Sequence, residues 1–327
     1  MTKIAINGFG RIGRLFFRQV QEEPGLSVVA VNDLGDLKTL SYLLKYDTVY
    51  GRFQKDLNGV KVFQEKDPAN LPWKKLGIDI VVEATGAFDS YAKAQTHLKA
   101  GAKRVVITAP AEDEDGPVGK TVLMGVNEKD LADCKISSNG SCTTNSVAPV
   151  IQVLDEEIGV AKALLNTAHG YTATQSLVDG PTRGKDMRRG RAAAQNIIPS
   201  STGAAIAVAR AVKEMEGKFD GIALRVPVAA GSIADITFLA KRKTSVEEVN
   251  RILKKAATLP RFKNVLQVCE DPVVSSDILR QPAGAIVDLA LTRVVDGDLV
   301  KVLSWYDNEW GYVATLVRHV KSAAKVL

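Results

Sequence analysis

The stretch that decides the fold is Lys3-Ile4-Ala5-Ile6-Asn7-Gly8-Phe9-Gly10-Arg11-Ile12-Gly13, close to the start of the chain. Its first five residues are typical of a buried strand, and Arg14 to Val20 continue with apolar residues at helical spacing. A strand before and a helix after give the Gly-x-Gly-x-x-Gly spacing its meaning. Gly8 allows a tight turn, Gly10 lets a pyrophosphate approach the backbone, and Gly13 lets helix and strand pack closely. The stretch therefore predicts a dinucleotide-binding unit of the Rossmann type.

A second strand, Ser27 to Asn32, leads to Asp33, which stands 20 positions after Gly13. An acidic residue at about this distance is expected to bind the ribose hydroxyls of a dinucleotide. The alternative interpretation is a carboxylate that only closes a turn at the end of a strand. An acid here repels a 2′-phosphate and Leu34 offers that phosphate no partner, so the predicted cofactor is NAD rather than NADP.

Two more strands are predicted over Ile78–Glu83 and Arg104–Thr108, with a helix over Ala87–Ala100 between them. Strands that alternate with helices in this way predict a parallel, doubly wound sheet. Such sheets bind ligands at the carboxyl ends of their strands. The candidate ligand contacts that this rule adds are Thr85, Gly86 and Thr108.

The chemistry is indicated by Ser138-Asn139-Gly140-Ser141-Cys142-Thr143-Thr144-Asn145, just ahead of the helical pattern Val147–Leu154. A thiol at a helix start meets unsatisfied backbone N–H groups and the positive end of the helix dipole. Both favour the thiolate, which is the nucleophilic form of cysteine. The octapeptide therefore predicts covalent catalysis by Cys142, with a merely buried small residue as the alternative.

A base for that thiol is sought among three histidines. His169 follows the strand-like run Ala163–Ala168, whereas His97 lies in a helical segment expected to be exposed and His319 lies in the last helix. A cysteine and a histidine that are distant in sequence but lie at the ends of elements can form a nucleophile–base pair. His169 is therefore the candidate base, and a structural histidine with one hydrogen bond is the alternative.

The run from Tyr171 to Asn196 is polar, and a loop of this length is usually functional or part of an interface. It carries Arg183, Arg188, Arg189 and Arg191. These arginines suit a pocket for small phosphorylated anions, and one short basic run is weak support for nucleic-acid binding. Next, Ser201-Thr202-Gly203-Ala204-Ala205 opens a helix, either as an anion site or as a simple threonine cap.

The remaining predicted elements complete a two-domain α/β chain. They are strands over Gly221–Val228, Ser232–Ala240, Ala285–Val294 and Leu299–Trp305, and helices over Val246–Ala257 and about Glu309–Lys325. We predict a Rossmann-type doubly wound parallel sheet in residues 1–141. An α+β catalytic domain with a mixed, largely antiparallel sheet is predicted over residues 142–308. The helix at about 309–325 is expected to pack back onto the first domain.

The composition argues against several protein classes. The chain is 46% apolar, without an apolar run of membrane-spanning length and with no room for a signal peptide before the first strand, so a cytoplasmic location is expected. The three cysteines Cys134, Cys142 and Cys269 are an odd number without CxxC spacing, so neither a disulfide framework nor a metal site is expected. A net charge of +6 is modest for 327 residues, and no nucleic-acid partner is expected.

The chain resembles the phosphorylating glyceraldehyde-3-phosphate dehydrogenases over essentially its whole length. The motifs that carry the resemblance are Ile6-Asn7-Gly8-Phe9-Gly10-Arg11-Ile12-Gly13-Arg14, Ser141-Cys142-Thr143-Thr144-Asn145, His169-Gly170-Tyr171-Thr172-Ala173-Thr174-Gln175, Ser201-Thr202-Gly203-Ala204-Ala205, Arg225-Val226-Pro227 and Trp305-Tyr306-Asp307-Asn308-Glu309-Trp310-Gly311-Tyr312. Together and in this order they are highly specific.

The resemblance implies NAD-dependent oxidation of a small phosphorylated aldehyde, with Cys142 as nucleophile and His169 as base. For inorganic phosphate it implies Ser141, Thr143, Thr202 and Gly203. For the substrate's own phosphate it implies Thr172 and Arg225, with Arg189 near both anions. The cofactor contacts it implies are Arg11, Ile12, Asp33, Lys66, Thr108 and Asn308, the last holding the nicotinamide carboxamide. It further implies a homotetramer.

Some positions depart from the family pattern, and other functions stay open. Ser176, Ile206 and Val228 replace residues common in the family, which affects the tuning of the anion sites and subunit contacts rather than the reaction class. The nearest alternative is an erythrose-4-phosphate dehydrogenase, which would release a carboxylic acid by hydrolysis. An alternative from another class is a non-catalytic dinucleotide-binding scaffold, which would need neither Cys142 nor His169.

Overall fold

The chain is divided into two compact units. The computed structural model describes residues 1–182 and 186–327, so Arg183 lies outside the described residues. The first unit comprises Met1–Ser141 and Val313–Leu327, and the second comprises Cys142–Tyr312. Within the described residues, each unit is built on one seven-stranded sheet.

The first unit has a fully parallel sheet with the strand order β3-β2-β1-β4-β5-β7-β6. Its strands and helices are β1 Thr2–Asn7, α1 Arg11–Val20, β2 Leu26–Asn32, α2 Leu37–Lys45, β3 Lys61–Phe63, α3 Trp73–Leu76, β4 Ile80–Glu83, α4 Tyr91–Lys99, β5 Arg104–Ile107, β6 Gly119–Thr121 and β7 Ile136–Ser138. This sheet confirms the prediction of a doubly wound parallel fold. Ile4, Ala5 and Ile6 of β1 are fully buried, as expected for a central strand covered on both faces.

The predicted glycine turn lies between β1 and α1. Gly8 has a φ of +95°, and a Cβ on Gly13 would lie 2.1 Å from the Gly8 carbonyl oxygen. No residue other than glycine fits Gly13 without moving this turn. Helix α1 begins at Arg11, three residues before the predicted start, so Gly13 lies in its first turn.

The second unit has a mixed sheet in the order β12-β13-β14-β11-β8-β10-β9, in which most neighbours are antiparallel, as predicted. Its elements are α5 Cys142–Ile158, β8 Val160–Gly170, β9 Ile198–Ser201, α6 Ala204–Ala211, β10 Phe219–Val226, β11 Ser232–Ala240, α7 Val246–Ala257, β12 Leu266–Cys269, β13 Ala285–Val295, β14 Leu299–Tyr306 and the start of α8 Trp310–Ala324. Helix α5 packs against this sheet and is buried along most of its length. The opposite sheet face leaves Leu164 and Ile222 largely exposed.

The last helix connects to the first unit through a buried histidine. From Val313 onward, α8 belongs to that unit. His319 Nε2 lies 2.7 Å from Ser137 Oγ, and His319 Nδ1 lies 3.1 Å from Asn139 Oδ1. Burial lowers the pKa of His319 to about 3. A neutral imidazole therefore fixes α8 against the end of β7.

One sequence-based expectation is wrong and several elements were not predicted. His97 lies on α4 as expected but is fully buried rather than exposed, because it contacts Trp73 and Glu83 from other elements. Helix α4 is also shorter than predicted and starts after Ser90, whose hydroxyl accepts the Lys93 N–H. The elements that the sequence did not indicate are α2, α3, β3, β6, β7, β9 and β12.

Two kinds of feature are absent from the described ranges. Among residues 1–182 and 186–327, no helix combines the length and apolar character needed to cross a membrane. The same ranges contain no group of three or more histidine, cysteine, aspartate or glutamate side chains placed to hold a metal ion.

Candidate functional site

The carboxyl edge of the parallel sheet offers an open cradle at the start of α1. Gly10 is the N-cap residue, and among the described residues no side chain caps this helix start. A Cβ on Gly10 would meet nothing within 4 Å, so the backbone is open to a ligand that approaches closely. Arg14 is not merely a solvated helix residue, because its Nη1 donates to the Phe9 carbonyl oxygen at 2.7 Å. These features fit a pyrophosphate at a helix N-terminus.

Asp33 lies at the end of β2 and braces the glycine turn. Its Oδ2 accepts the Phe9 N–H at 2.6 Å and its Oδ1 accepts the Gly35 N–H at 2.8 Å. Each carboxylate oxygen has a second lone pair, so the group can still accept a ribose hydroxyl. Leu34 is exposed and brings no positive charge to this point. The arrangement suits NAD better than a cofactor with a 2′-phosphate.

The other residues predicted to contact the cofactor lie in loops that follow the strands of this sheet or in the first turn of α1. The Thr85 N–H donates to Glu83 Oε1 at 2.8 Å, and the Thr108 N–H donates to the Glu83 carbonyl oxygen at 3.0 Å. Lys66 is exposed, and Gly86 has a φ of +70° that suits glycine. The Arg11 guanidinium pairs with the carboxylate of Asp47. Ile12 is half-buried in the first turn of α1.

In the second unit, Cys142 and His169 face each other. Cys142 is the first residue of α5 and His169 lies near the end of β8. The Cys142 Sγ is 3.2 Å from His169 Nε2, which is hydrogen-bond distance for a sulfur atom. The two residues are 27 positions apart in sequence, so only the fold brings them together. The predicted nucleophile–base pair is therefore present as a contact.

The other ring nitrogen of His169 has two competing neighbours. His169 Nδ1 lies 2.6 Å from the Gly170 carbonyl oxygen and 2.6 Å from Arg225 Nη1. The carbonyl can only accept and the guanidinium can only donate, so the two contacts require different tautomers. Burial, followed by the Arg225 charge, lowers the pKa of His169 to about 3. At neutral pH the imidazole is therefore unprotonated and able to take a proton.

The thiol itself differs from the helix-start expectation. Burial raises the pKa of Cys142, although the Arg225 charge and the Thr143 backbone N–H act in the opposite direction. Desolvation penalises the thiolate more than the helix start and the arginine stabilise it. The resting pair is therefore a thiol beside a neutral imidazole, and the sulfur needs His169 to remove its proton.

Arginine and hydroxyl side chains predicted for anions lie on neighbouring elements of this unit. Arg189 Nε donates to Ser200 Oγ at 2.9 Å, and its Nη1 donates to Thr174 Oγ1 at 3.2 Å. The Thr172 hydroxyl is 3.0 Å from that same Thr174 oxygen. Arg225 has a buried Nε without a hydrogen-bond partner in the described part of the chain, and burial lowers the pKa of Arg225. A buried guanidinium with an unused donor is suited to an anion.

The start of α6 adds a second set of donors. Gly203 is the N-cap residue, and a Cβ there would meet nothing within 4 Å. The Thr202 hydroxyl, one residue before the N-cap, accepts the Ala204 N–H at 3.2 Å, so Thr202 bonds the helix start without being its cap residue. Ser141, the residue before α5, is half-buried. Arg191 instead pairs with Asp179 at 2.9 Å on the surface of the long loop.

Sequence reasoning missed the role of Tyr306. Its hydroxyl is 2.9 Å from Thr143 Oγ1 and 2.8 Å from Thr167 Oγ1, and its ring meets the His169 ring edge-on at 5.9 Å between centroids. Burial raises the pKa of Tyr306, which keeps the hydroxyl protonated. The Thr143 hydroxyl is thus buried in a protein hydrogen bond, and its role as a phosphate ligand stays a prediction.

The side chain of Asn308 is held by the residues at the start of β11. Its Oδ1 accepts the Gly231 N–H and the Ser232 hydroxyl, each at 3.0 Å. Ser232 Oγ in turn accepts the Gly170 N–H at 3.1 Å, next to His169. The amide nitrogen of Asn308 is then the group that can donate to a ligand carbonyl. Only the three-dimensional structure indicates Ser232 as the residue that orients it.

Comparison with known proteins covers both units. Residues 2–91 match a family model described as the glyceraldehyde 3-phosphate dehydrogenase, NAD binding domain, and residues 141–308 match the C-terminal domain of the same family. The chain is 48% identical to a protein named glyceraldehyde-3-phosphate dehydrogenase from Streptomyces coelicolor, over 96% of both chains. It is 47% identical to proteins of the same name from Clostridium pasteurianum and Mycobacterium avium, over 100% of this chain and 99% of each relative.

Proposed function

The chain belongs to the glyceraldehyde 3-phosphate dehydrogenase family, and on this premise we propose that it oxidises D-glyceraldehyde 3-phosphate to 1,3-bisphosphoglycerate with NAD and inorganic phosphate, in glycolysis or its reversal. The observation that carries the proposal is the 3.2 Å contact between Cys142 Sγ and His169 Nε2, with the Arg225 guanidinium at the second ring nitrogen. A scaffold that only binds a dinucleotide has no use for such a pair.

The residues that would hold NAD are those of the parallel sheet's carboxyl edge. Gly10 leaves the backbone open to the pyrophosphate, Gly8 and Gly13 permit the closely packed turn that presents it, and Asp33 is the proposed acceptor for a ribose hydroxyl. Arg11, Ile12, Lys66, Thr85, Gly86 and Thr108 complete the proposed set, with the Asn308 amide as donor to the carboxamide. When bound, the nicotinamide supplies the acceptor for a hydride.

The first step forms a covalent bond to the enzyme. His169 Nε2 takes the proton of the Cys142 thiol while the sulfur attacks the aldehyde carbon, and it then passes this proton to the former carbonyl oxygen, which completes a thiohemiacetal and leaves the ring neutral again. This step requires the tautomer with a proton on Nδ1, donated to the Gly170 carbonyl. We assign to the Thr143 N–H at the start of α5, which lowers the pKa of Cys142 against the effect of burial, the stabilisation of the oxyanion that forms beside the sulfur. His169 then takes the hydroxyl proton as the thiohemiacetal carbon is oxidised to a thioester. General-base catalysis of this kind raises the reaction rate by about 10²–10⁴-fold.

The second step releases the product by phosphate attack on the thioester. The acyl carbon–sulfur bond breaks, the phosphate oxygen takes the acyl group, and the Cys142 thiolate receives the proton that His169 took in the oxidation. Two anions must be held at once, and we assign Ser141, Thr143, Thr202 and Gly203 to inorganic phosphate. Thr172 and Arg225 are assigned to the substrate phosphate, with Arg189 serving both sites. Guanidinium groups suit phosphate because they donate in a fixed fork.

Phosphorolysis is favoured over hydrolysis by the start of α6. The open Gly203 and the Thr202 hydroxyl provide a place for an attacking anion beside the catalytic unit's sheet. An erythrose-4-phosphate dehydrogenase, which transfers the acyl group to water, has no need of that second anion. Dependence of turnover on phosphate separates the two reactions.

We further propose that the enzyme is a cytoplasmic homotetramer. On the open face of the mixed sheet, Leu164 is 66% exposed and Ile222 is 53% exposed, and Leu224, Ile233 and Trp305 on the same face are only half-buried. Exposed apolar side chains on a sheet face, here interspersed with the polar Asn166, Asp235 and Lys301, are typical of an interface with another chain. A second copy of the chain is the proposed occupant, and sedimentation velocity would report it.

A side-by-side assay tests the reaction. NAD reduction is followed with glyceraldehyde 3-phosphate and with erythrose 4-phosphate, each with and without inorganic phosphate. The proposal expects faster turnover with the triose and loss of steady turnover without phosphate. Cys142→Ser should abolish NAD reduction while NAD binding persists. Reduction by Cys142→Ser near the wild-type rate would contradict the covalent route.

A further inference from the structure

A row of three buried polar side chains crosses the parallel sheet where its strands end. Asn7 on β1 is the register partner of both Asn32 on β2 and Glu83 on β4, and these residues are 1%, 4% and 2% exposed. Asn32 Nδ2 donates to Asn7 Oδ1 at 2.7 Å, and Asn7 Nδ2 donates to Glu83 Oε2 at 2.6 Å. Buried polar groups weaken a fold unless they form hydrogen bonds, so each member of this row depends on the others. The chemistry at Cys142 does not explain why polar residues stand at these three positions.

The proton of the buried His97 is fixed by its neighbours. Trp73 Nε1 lies 3.1 Å from His97 Nδ1, and an indole N–H can only donate. His97 Nδ1 must therefore accept, and the ring proton is left on Nε2. That nitrogen lies 2.9 Å from Glu83 Oε2 and donates to it, while Asn7 Nδ2, at 3.4 Å from the same nitrogen, donates to Glu83 Oε2 at 2.6 Å instead. His97 thus serves as a neutral donor to the Glu83 carboxylate.

Both carboxylate oxygens of Glu83 accept hydrogen bonds. Oε2 accepts from His97 and Asn7, while Oε1 accepts from the Thr85 N–H at 2.8 Å and from the Thr85 hydroxyl. A carboxylate is the side chain that can accept from four such donors at once. The first residues after β4 are consequently held by the same group that bonds β1 and α4.

Every segment assigned to the dinucleotide on this edge is attached to the row. Asn32 Oδ1 accepts the N–H of Glu65, the residue before Lys66, at 2.8 Å. The Gly8 N–H donates to the Asn32 carbonyl oxygen at 2.8 Å, and the Thr108 N–H donates to that of Glu83 at 3.0 Å. The side chains of the row thus bond two of these loops, at Glu65 and Thr85, and the main chain of Asn32 and Glu83 bonds the loops at Gly8 and Thr108.

We propose that Glu83, His97, Trp73 and Asn7 are positioning residues for the dinucleotide, acting through the loops they hold and not by contact with it. The inference rests on the proposed function only for the identity of the ligand as NAD. A role confined to stability would lower the melting temperature and leave the affinity for NAD unchanged. Binding affinity is thus the readout that separates the two roles.

Glu83→Gln is the most direct variant because it keeps the shape and changes the acceptor set. Whichever way the amide turns, its NH₂ group faces donors, either His97 and Asn7 or the Thr85 N–H and hydroxyl. We expect the Kd for NAD, measured by isothermal titration calorimetry on the full chain without aldehyde or phosphate, to rise about tenfold, equivalent to about 1.4 kcal/mol.

Tyr91→Phe is the matched control. Tyr91 lies on the same helix as His97, is 1% exposed, and donates its hydroxyl proton to Asp115 Oδ1 at 2.7 Å, in a loop with no assigned cofactor contact. This variant should lower the melting temperature and leave the Kd for NAD within twofold of wild type. A Kd within twofold of wild type in Glu83→Gln as well would overturn the positioning role.

Two further measurements keep the inference testable if Glu83→Gln does not fold. Trp73→Phe keeps an aromatic ring and removes only the N–H donor, and it should raise the Kd for NAD about threefold; an unchanged Kd would overturn the proposal. Imidazole ¹⁵N chemical shifts of the wild-type protein should show His97 with a bare Nδ1 and a protonated Nε2, and the opposite tautomer would contradict the network. A wild-type chain that does not bind NAD would overturn the proposed function itself, whereas a failure confined to these variants overturns only the positioning role.

Discussion

The two units each contain a buried histidine beside a group that can only donate, and the contrast between them separates positioning from catalysis. His97 Nδ1 faces the Trp73 indole and its Nε2 lies nearest the Glu83 carboxylate, so one tautomer satisfies both of these bonds. His169 Nδ1 meets both the Arg225 guanidinium and the Gly170 carbonyl, and its Nε2 faces a thiol. A ring with one satisfied tautomer holds its neighbours in place, whereas a ring with two available tautomers can move a proton.

The largest expected effect comes from removing the catalytic ring. His169→Asn should lower kcat by about 10²–10⁴-fold, because the thiol loses the base that takes its proton. The Kd for NAD should stay within twofold of wild type, since all the proposed dinucleotide contacts except Asn308 lie in the other unit and the substitution leaves the hydrogen bonds of Asn308 in place. Steady-state kinetics and calorimetry measure the two quantities. A kcat within tenfold of wild type would show that the contrast between the two histidines is wrong.

Acid should destabilise the protein through histidines that are buried as neutral rings. The pKa of both His169 and His319 is about 3 in the folded chain, against about 6.5 when unfolded. Below pH 6.5 the unfolded chain binds more protons, so stability falls as the pH falls, by roughly 1.4 kcal/mol per pH unit for each histidine.

Urea unfolding at pH 7.5, 6.0 and 5.0 measures this slope. His319→Gln should remove about half of it, and His169→Asn should remove the other half. A free energy of unfolding that is constant between pH 6.5 and 5.0 would contradict the neutral, buried state of both rings.

Replacing the positioning histidine, His97, should lower the stability of the fold and leave the reactivity of Cys142 unchanged. His97→Asn is too short to reach both Trp73 and Glu83, so a buried N–H and a carboxylate lose a partner, at a cost of about 1–3 kcal/mol in the free energy of unfolding. The rate of Cys142 alkylation by iodoacetamide should not change, because the thiol and its base are intact. Urea unfolding and alkylation kinetics report the two results, and slower alkylation in His97→Asn would break the contrast.

The smallest effect tests the surroundings of the catalytic ring. Tyr306→Phe removes a hydroxyl from between Thr143 and Thr167 but leaves the ring packed on His169. The expected cost is about 1 kcal/mol of stability, with kcat reduced less than tenfold because the sulfur and Nε2 are untouched. Thermal unfolding and initial rates check it. A loss of kcat as large as that of His169→Asn would place Tyr306 in the proton transfer.

The sequence predicted the parts of the fold that depend on local pattern. Strand β1, the glycine turn and Asp33 follow from short-range spacing, and the structure confirms the parallel sheet they indicate. His97 was expected to be exposed because its neighbours on α4 include Lys93 and Lys99, and nothing nearby in sequence points to Trp73 or Glu83. Its burial depends on contacts 14 and 24 positions away, which local periodicity does not contain.

The candidate site likewise has features that the local sequence predicts and features that depend on the folded structure. Cys142 was identifiable from its position before a helix and His169 from its position after a strand, but their 3.2 Å contact depends on the fold. The raised pKa of Cys142 could not be predicted from the helix start, because the desolvation that raises it depends on the surrounding packing. Tyr306 and Ser232 were missed for the same reason, since their partners lie on strands that pair only in the folded sheet.

The central claim is a covalent intermediate on one sulfur, and peptide mass spectrometry of the acid-quenched enzyme tests it most directly. The enzyme is mixed with NAD and glyceraldehyde 3-phosphate in phosphate-free buffer, quenched in acid and digested. The account predicts one acyl group on the peptide that contains Cys142, lost when inorganic phosphate is added before the quench. An enzyme that reduces NAD under these conditions without an adduct on Cys142, or with the adduct on Cys134 or Cys269, would contradict it.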